Sequence, residues 1–215
     1  FSLWIRRRRV DWSPRTAVKL GGMYRKSAVG NGLQIVSERV STVRSVSLGI
    51  WIQAGSRDEE APECGISHFL EHMLFKGTET RNAFDIVHSL ESLGGSLDAF
   101  TSRDLTCFYA RCLDEHLDAA LDVLADILQN SRLDPEEIEK EKRVVLDEIQ
   151  SVEDTPDDLI HDLIARSAWG GHPVGAPILG THETVASFER QGLLDYLEHH
   201  FRSDRMVISA AGNLD

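Results

Sequence analysis

The chain has 215 residues, with 23 Lys+Arg against 35 Asp+Glu, a formal net charge of −12, and 41% apolar residues. That length and composition describe an ordinary globular protein with a real core, and no run approaches the roughly 18 apolar residues of a membrane span. The acidic balance excludes a basic nucleic-acid face, and three cysteines (Cys64, Cys107, Cys112) make no disulfide framework.

Residues 1–22 carry six basic residues and one acid, leaving the rest of the chain strongly acidic. This stretch reads as a basic leader, disordered or non-native: upstream sequence before a start at Met23, or less favourably an organellar transit segment. Residues 23–215 read as one domain. After the turn Gly30-Asn31-Gly32, strands are predicted at 33–37 and across the β-branched run 43–54. Helices follow at 63–76 and 83–93, the second closed by Gly94-Gly95. A hairpin over 96–101 and 105–111 comes next, and then helices near 114–129, 135–153, 157–168 and 188–200. The starts at Asp134-Pro135-Glu136-Glu137 and Thr155-Pro156-Asp157-Asp158 resemble capping boxes with Pro at the first helical position. A last strand, 206–212, runs into Gly212-Asn213 with nothing after it to connect to, so the domain reads as truncated at its C-terminus. Strands, a helical block and a returning strand predict an α+β domain, an antiparallel sheet with helices packed on it.

The chemistry is concentrated in His68-Phe69-Leu70-Glu71-His72. On a helix, His68, Glu71 and His72 fall within an arc of roughly 100°. Two imidazoles one turn apart can share a Zn²⁺, and the acid between them can reach a water on the metal. In 135–153, Ile138, Val145, Ile149 and Val152 form an apolar stripe. Glu141 and Glu148 lie at its edge, about 20° apart on the helical wheel. Carboxylates turned toward a core need a cation or strong donors, and a zinc site short of its third ligand would give them one. Solvated flank positions are the plainer alternative.

His68-Phe69-Leu70-Glu71-His72, with Glu141 and with Glu148 76 residues beyond His72, resembles the pitrilysin/insulinase zinc metallopeptidases, an H-x-x-E-H family. Within it the chain is most similar to the bacterial members of the mitochondrial-processing-peptidase-like branch. Gly65-Ile66-Ser67, Met73-Leu74-Phe75-Lys76-Gly77-Thr78 and Gly94-Gly95 extend the likeness, which runs from about residue 30 to 215. The resemblance implies an N-terminal catalytic domain with one Zn²⁺ held by His68, His72 and Glu148, Glu71 as general base, and Glu141 in support behind the ligands. The implied activity is zinc-dependent endopeptidase cleavage of extended or presequence-like peptides, through a water activated by zinc and Glu71. A second homologous domain or subunit would close the site. Bacterial cytoplasm is the implied location, with the mitochondrial matrix as the alternative. The family's substrate-binding edge strand falls on Asp98-Ala99-Phe100-Thr101, where Asp98 replaces the usual Asn; the backbone pairing should survive the change, and the contact made by residue 98 itself is in question.

Three rivals are weaker. A catalytically silent partner subunit would not need the intact His68/Glu71/His72/Glu148 set. A lyase with the same H-x-x-E-H order takes a cysteine as third ligand. Cys64, one turn before His68, would close the coordination shell and make the zinc structural, but Gly65 starts the helix after it. The remaining histidines lack ligand spacing.

Overall fold

A computed structural model describes residues 16–20, as backbone, and 24–214. The rest of the expected leader lies outside the described residues. The strands are β1 (Thr16–Leu20), β2 (Tyr24–Ala28), β3 (Gln34–Arg39), β4 (Ser45–Ile52), β5 (Ser96–Thr101), β6 (Thr106–Leu113) and β7 (Met206–Gly212). They form one sheet in the order β1-β2-β3-β7-β4-β6-β5. Strand β1 lies inside the basic segment and pairs with β2, so the sheet begins earlier than residue 23. Expectation and structure agree on the α+β class, with one difference of detail: β3 and β7 run parallel, and every other neighbouring pair is antiparallel. Strand β7 slots between β3 and β4, so the last strand is interior to the sheet rather than at its margin.

The helices are α1 (Ile66–Leu74), α2 (Ala83–Glu91), α3 (Leu117–Asn130), α4 (Pro135–Glu153), α5 (Pro156–Trp169), α6 (His182–Ser187) and α7 (Arg190–His200). Alternation along β4 sends Leu48, Ile50 and Ile52 to the helical side; Phe108, Ala110 and Cys112 of β6 join them in the core. Against this face α1 buries Phe69, Leu70, Met73 and Leu74 completely. At about 1.5–3 kcal/mol per side chain, these four contribute on the order of 6–12 kcal/mol, an upper bound. A helix of nine residues would not hold in water alone, so packing, not propensity, makes α1.

The expected capping boxes on α4 and α5 do not form. Asp134 accepts only from the Glu136 amide, at 2.9 Å, while Glu137 turns to Lys140; the Thr155 hydroxyl donates back to the Ser151 carbonyl. In both cases the N-terminal side chain is engaged by a partner other than the reciprocal pair.

Helix α1 starts at Gly65, in the left-handed region at φ 92°. A Cβ there would meet the Gly180 Cα and the Leu179 carbonyl oxygen, each at 2.6 Å, so both the conformation and the space demand glycine. Gly65→Ala is expected to cost on the order of 2–4 kcal/mol, read as a lowered midpoint in thermal denaturation.

Candidate metal centre

The start of α1 has no capping side chain of its own. Glu59, buried before the helix, supplies it: its carboxylate accepts the Gly65 amide at 2.7 Å and the Ser67 amide at 2.9 Å. Ser67 Oγ also meets the Tyr196 hydroxyl at 2.8 Å, and Thr184 Oγ1 donates to the Cys64 carbonyl at 2.7 Å. The helix that carries the histidines is thus clamped at its first turn by the segment just before it and by two distant ones.

On α1, His68 and His72 lie with ring centroids 4.6 Å apart. Glu148 of α4 faces both: its Oε2 is 3.9 Å from His68 Nε2 and 3.7 Å from His72 Nε2. These separations are too long for hydrogen bonds. They are short enough for one ion, because two atoms at about 2.1 Å from a zinc can be at most about 4.2 Å apart. Among the described residues, His68, His72 and Glu148 are the one group of acids, imidazoles or thiols whose ligand atoms all fall within 4.8 Å of one another. Glu148 Oε2 is buried without a hydrogen-bond partner among the described residues. A buried carboxylate oxygen left so is costly, and a cation between it and the two imidazoles removes the cost. The donor set fits zinc.

Behind the imidazoles, His72 Nδ1 lies 2.7 Å from Glu141 Oε1, and Lys76 Nζ is 2.6 Å from Glu141 Oε2. With Nδ1–H donating to the carboxylate, Nε2 keeps its lone pair on the Glu148 side, the arrangement of a histidine oriented for a metal. Glu141 is 3% exposed. Burial pulls its carboxyl toward the protonated form, but His72 and Lys76 overcome this and hold it below the ordinary carboxylate range. For His72 burial works against the charged ring, while Glu141, Glu148 and Glu71 together push its pKa up. Burial, aided by His72, lowers His68 to about 4, so its imidazole is neutral at pH 7. Glu71 accepts from Thr101 Oγ1 at 2.6 Å. Burial raises its carboxyl above the ordinary range, against the opposing pull of that hydroxyl and of His72.

The structure therefore brings together His68, Glu71, His72, Glu148 and Glu141, all named from sequence. Cys64 does not join them; its thiol points to the Pro177 carbonyl at 3.7 Å. Of the edge-strand residues, Ala99 and Thr101 lie on the helical side, and Asp98 and Phe100 on the opposite face. Thr101, expected to bind substrate, bonds to Glu71. Lys76 and Glu59 were missed: Lys76 sits one turn beyond His72, a spacing that could have flagged it, whereas nothing in the sequence marks Glu59 as a cap.

Residues 34–182 match the insulinase family, peptidase family M16, and the chain belongs to it, a family of metallopeptidases. It is 50% identical over 192 residues to YmxG of Bacillus subtilis, an uncharacterized zinc protease, covering 89% of this chain and 47% of that protein. The Arabidopsis thaliana protein named "Probable mitochondrial-processing peptidase subunit beta, mitochondrial" is 42% identical, over 87% of this chain and 35% of its own length. A protease from Helicobacter pylori shares the fold at a TM-score of 0.86 and 22% identity, covering 89% of this chain and 47% of that one. So does a peptidase M16 inactive domain from Pseudomonas fluorescens, at a TM-score of 0.82 and 18% identity over 89% of this chain and 47% of that one. The chain spans about half or less of the length of these relatives. Zinc is the family's metal, and His68, His72 and Glu148 are the group in this chain whose ligand atoms lie close enough together to hold such an ion.

Glu59→Ala would strand two buried amides and is expected to destabilise the fold by on the order of 2–4 kcal/mol. Burial, against the two amides, raises the Glu59 pKa to about 6. The folded state therefore holds this proton more tightly than the unfolded one, and stability falls as pH rises from about 4.5 through 6. Relative to Glu59→Gln, the parent chain should lose about 2 kcal/mol across that window, measurable by urea denaturation at a series of pH values.

Proposed function

We propose that this chain is the zinc-bearing catalytic domain of a metalloendopeptidase that cleaves extended or presequence-like peptides. The observation that carries the reading is Glu148 Oε2, buried, without a hydrogen-bond partner among the described residues, and facing two imidazoles at 3.7 and 3.9 Å. His68, His72 and Glu148 hold the metal, and Glu141 fixes the tautomer and orientation of His72. When bound, zinc supplies a Lewis acid that acidifies water and polarises a scissile carbonyl. Glu71, its Oε2 held by Thr101, takes the proton of the attacking water at Oε1 and returns it to the leaving amine. Its raised pKa suits both halves of that exchange. The peptide lies extended along β5, the strand at the sheet margin that carries Thr101.

The fold does not separate this from a silent partner subunit, since an inactive domain shares it. Four reactive side chains in working proximity favour the enzyme. Because the chain spans about half of YmxG, a second homologous domain or subunit would close the site and exclude water. Among the described residues no helix is long and apolar enough to cross a membrane. The three cysteines are free and buried, which agrees with a reducing, cytoplasmic setting.

Elemental analysis should find one zinc per chain, none in His68→Ala or His72→Ala, and severely weakened binding in Glu148→Gln; full zinc in that last variant would overturn Glu148 as a ligand. Glu71→Gln should keep the zinc and abolish cleavage in the protein carrying both halves. Retained turnover there would exclude Glu71 as the base. Glu141→Gln should retain zinc but release it to a chelator about 10–100-fold more readily. If Glu141→Gln releases zinc faster than Glu148→Gln, the roles of ligand and support are reversed.

A further inference from the structure

Among the described residues, strand β5 is the last strand of the sheet, with β6 on one side and no strand on the other. The hairpin bond from the Ser102 amide to the Leu105 carbonyl, 2.8 Å, fixes which residues face β6. In an antiparallel pair, hydrogen-bonded and non-hydrogen-bonded residue pairs alternate. Counting back from Ser102, Phe100, Asp98 and Ser96 bond to β6. Thr101, Ala99 and Leu97 send their amides and carbonyls off the margin of the sheet. Ala99 is the middle one of these three.

The Ala99 amide is already taken. Asp98 Oδ1 accepts it at 2.8 Å, and the other oxygen, Oδ2, accepts from the Tyr109 hydroxyl at 3.0 Å. Tyr109 is the residue directly across from Asp98 on β6. The carboxylate is thus anchored by its cross-strand neighbour and folded over the central outward donor of the free margin. A strand adding here needs that donor for its own carbonyl. Charge at a sheet margin is a common defence against unwanted pairing; here it acts through a specific bond.

We propose that Asp98 is a displaceable cap on β5: its carboxylate competes with an incoming peptide strand for the Ala99 amide and so sets the threshold for strand addition. This rests on the reading that peptide pairs with β5. Only strands making enough other contacts displace the carboxylate, and pairing with strands that merely collide with the margin is suppressed. Asp98 is a positioning residue in this role, since it acts through the Ala99 amide.

The test uses the chain as it stands and needs neither metal nor turnover. Hydrogen exchange at the Ala99 amide, followed by NMR, should be roughly tenfold faster in Asp98→Ala than in the parent, the loss of a charge-assisted bond. Asp98→Asn keeps an acceptor oxygen and should restore most of the protection. The binding probe is an uncharged peptide of alternating threonine and valine with capped ends, so that removing the charge of Asp98 has no direct effect on attraction. Trp51, with Phe100 at 5.9 Å between ring centroids, reports its arrival by fluorescence. The peptide should bind Asp98→Ala roughly tenfold more tightly than the parent, and an analogue N-methylated along its backbone should bind neither. Unchanged exchange at Ala99 in Asp98→Ala overturns the cap while leaving strand addition standing. Faster exchange with no gain in affinity overturns the competition. Absence of binding to either protein, or equal binding of the methylated analogue, removes strand addition itself and the proposal with it.

Discussion

The centre depends on how one buried carboxylate joins two helices. Glu141 meets His72 and Lys76, and Glu148, two turns along α4, meets His68 and His72. Advancing along α4 therefore means retreating along α1: the helices run antiparallel, locked at two points. Seven residues on α4 rise about 10.5 Å, which carries Glu148 from the Lys76 end of α1 to the His68 end. Glu141 could not be buried unpaired, so α4 has one favourable register on α1. That same register delivers Glu148 to the imidazoles. The support residue fixes the position of the proposed ligand.

The electrostatics follow from the same geometry. Around two imidazoles stand Glu71, Glu141 and Glu148, and the cation Lys76 is committed to Glu141. His72 gains proton affinity from these carboxylates while His68 loses it to burial. The carboxylates favour positive charge at this cluster, and the neutral His68 ring offers a lone pair at pH 7. A single divalent ion satisfies both demands, as well as Glu148 Oε2. A proton on His72 would answer only one of them.

Much of this was legible in the sequence because it is local and periodic. The spacing of His68, Glu71 and His72 is a property of one helix, and the edge positions of Glu141 and Glu148 follow from the apolar stripe of another. The strand 206–212 was readable as a strand from its composition, although the structure leaves Met206–Ala210 half-buried and Ala211 exposed. Its place between β3 and β4, parallel to one of them, was not, because strand order is decided by how far-separated segments close over the core. Strand β1 hid in a basic stretch without apolar alternation, since pairing with β2 by backbone bonds needs no side-chain pattern. The cap on Ala99 also escaped: the departure at Asp98 was visible, but its bond depends on which amides the hairpin turns outward.

The H-x-x-E-H pentapeptide, for all its chemical content, does not fold itself. Its helix begins with a left-handed glycine pressed against Gly180 and Leu179, takes its cap from Glu59, and is tied through Ser67 to Tyr196 and through Cys64 to Thr184. The partners come from 6 to 129 residues away. None carries reactive chemistry, yet each removes freedom from the turn that aims His68. A histidine pair one turn apart on a frayed helix would wander by more than the few tenths of an ångström that ligand geometry tolerates. The roles proposed for His68 and Glu71 thus depend on packing at Gly65, Glu59 and Tyr196, and the five central residues become a site only inside that frame.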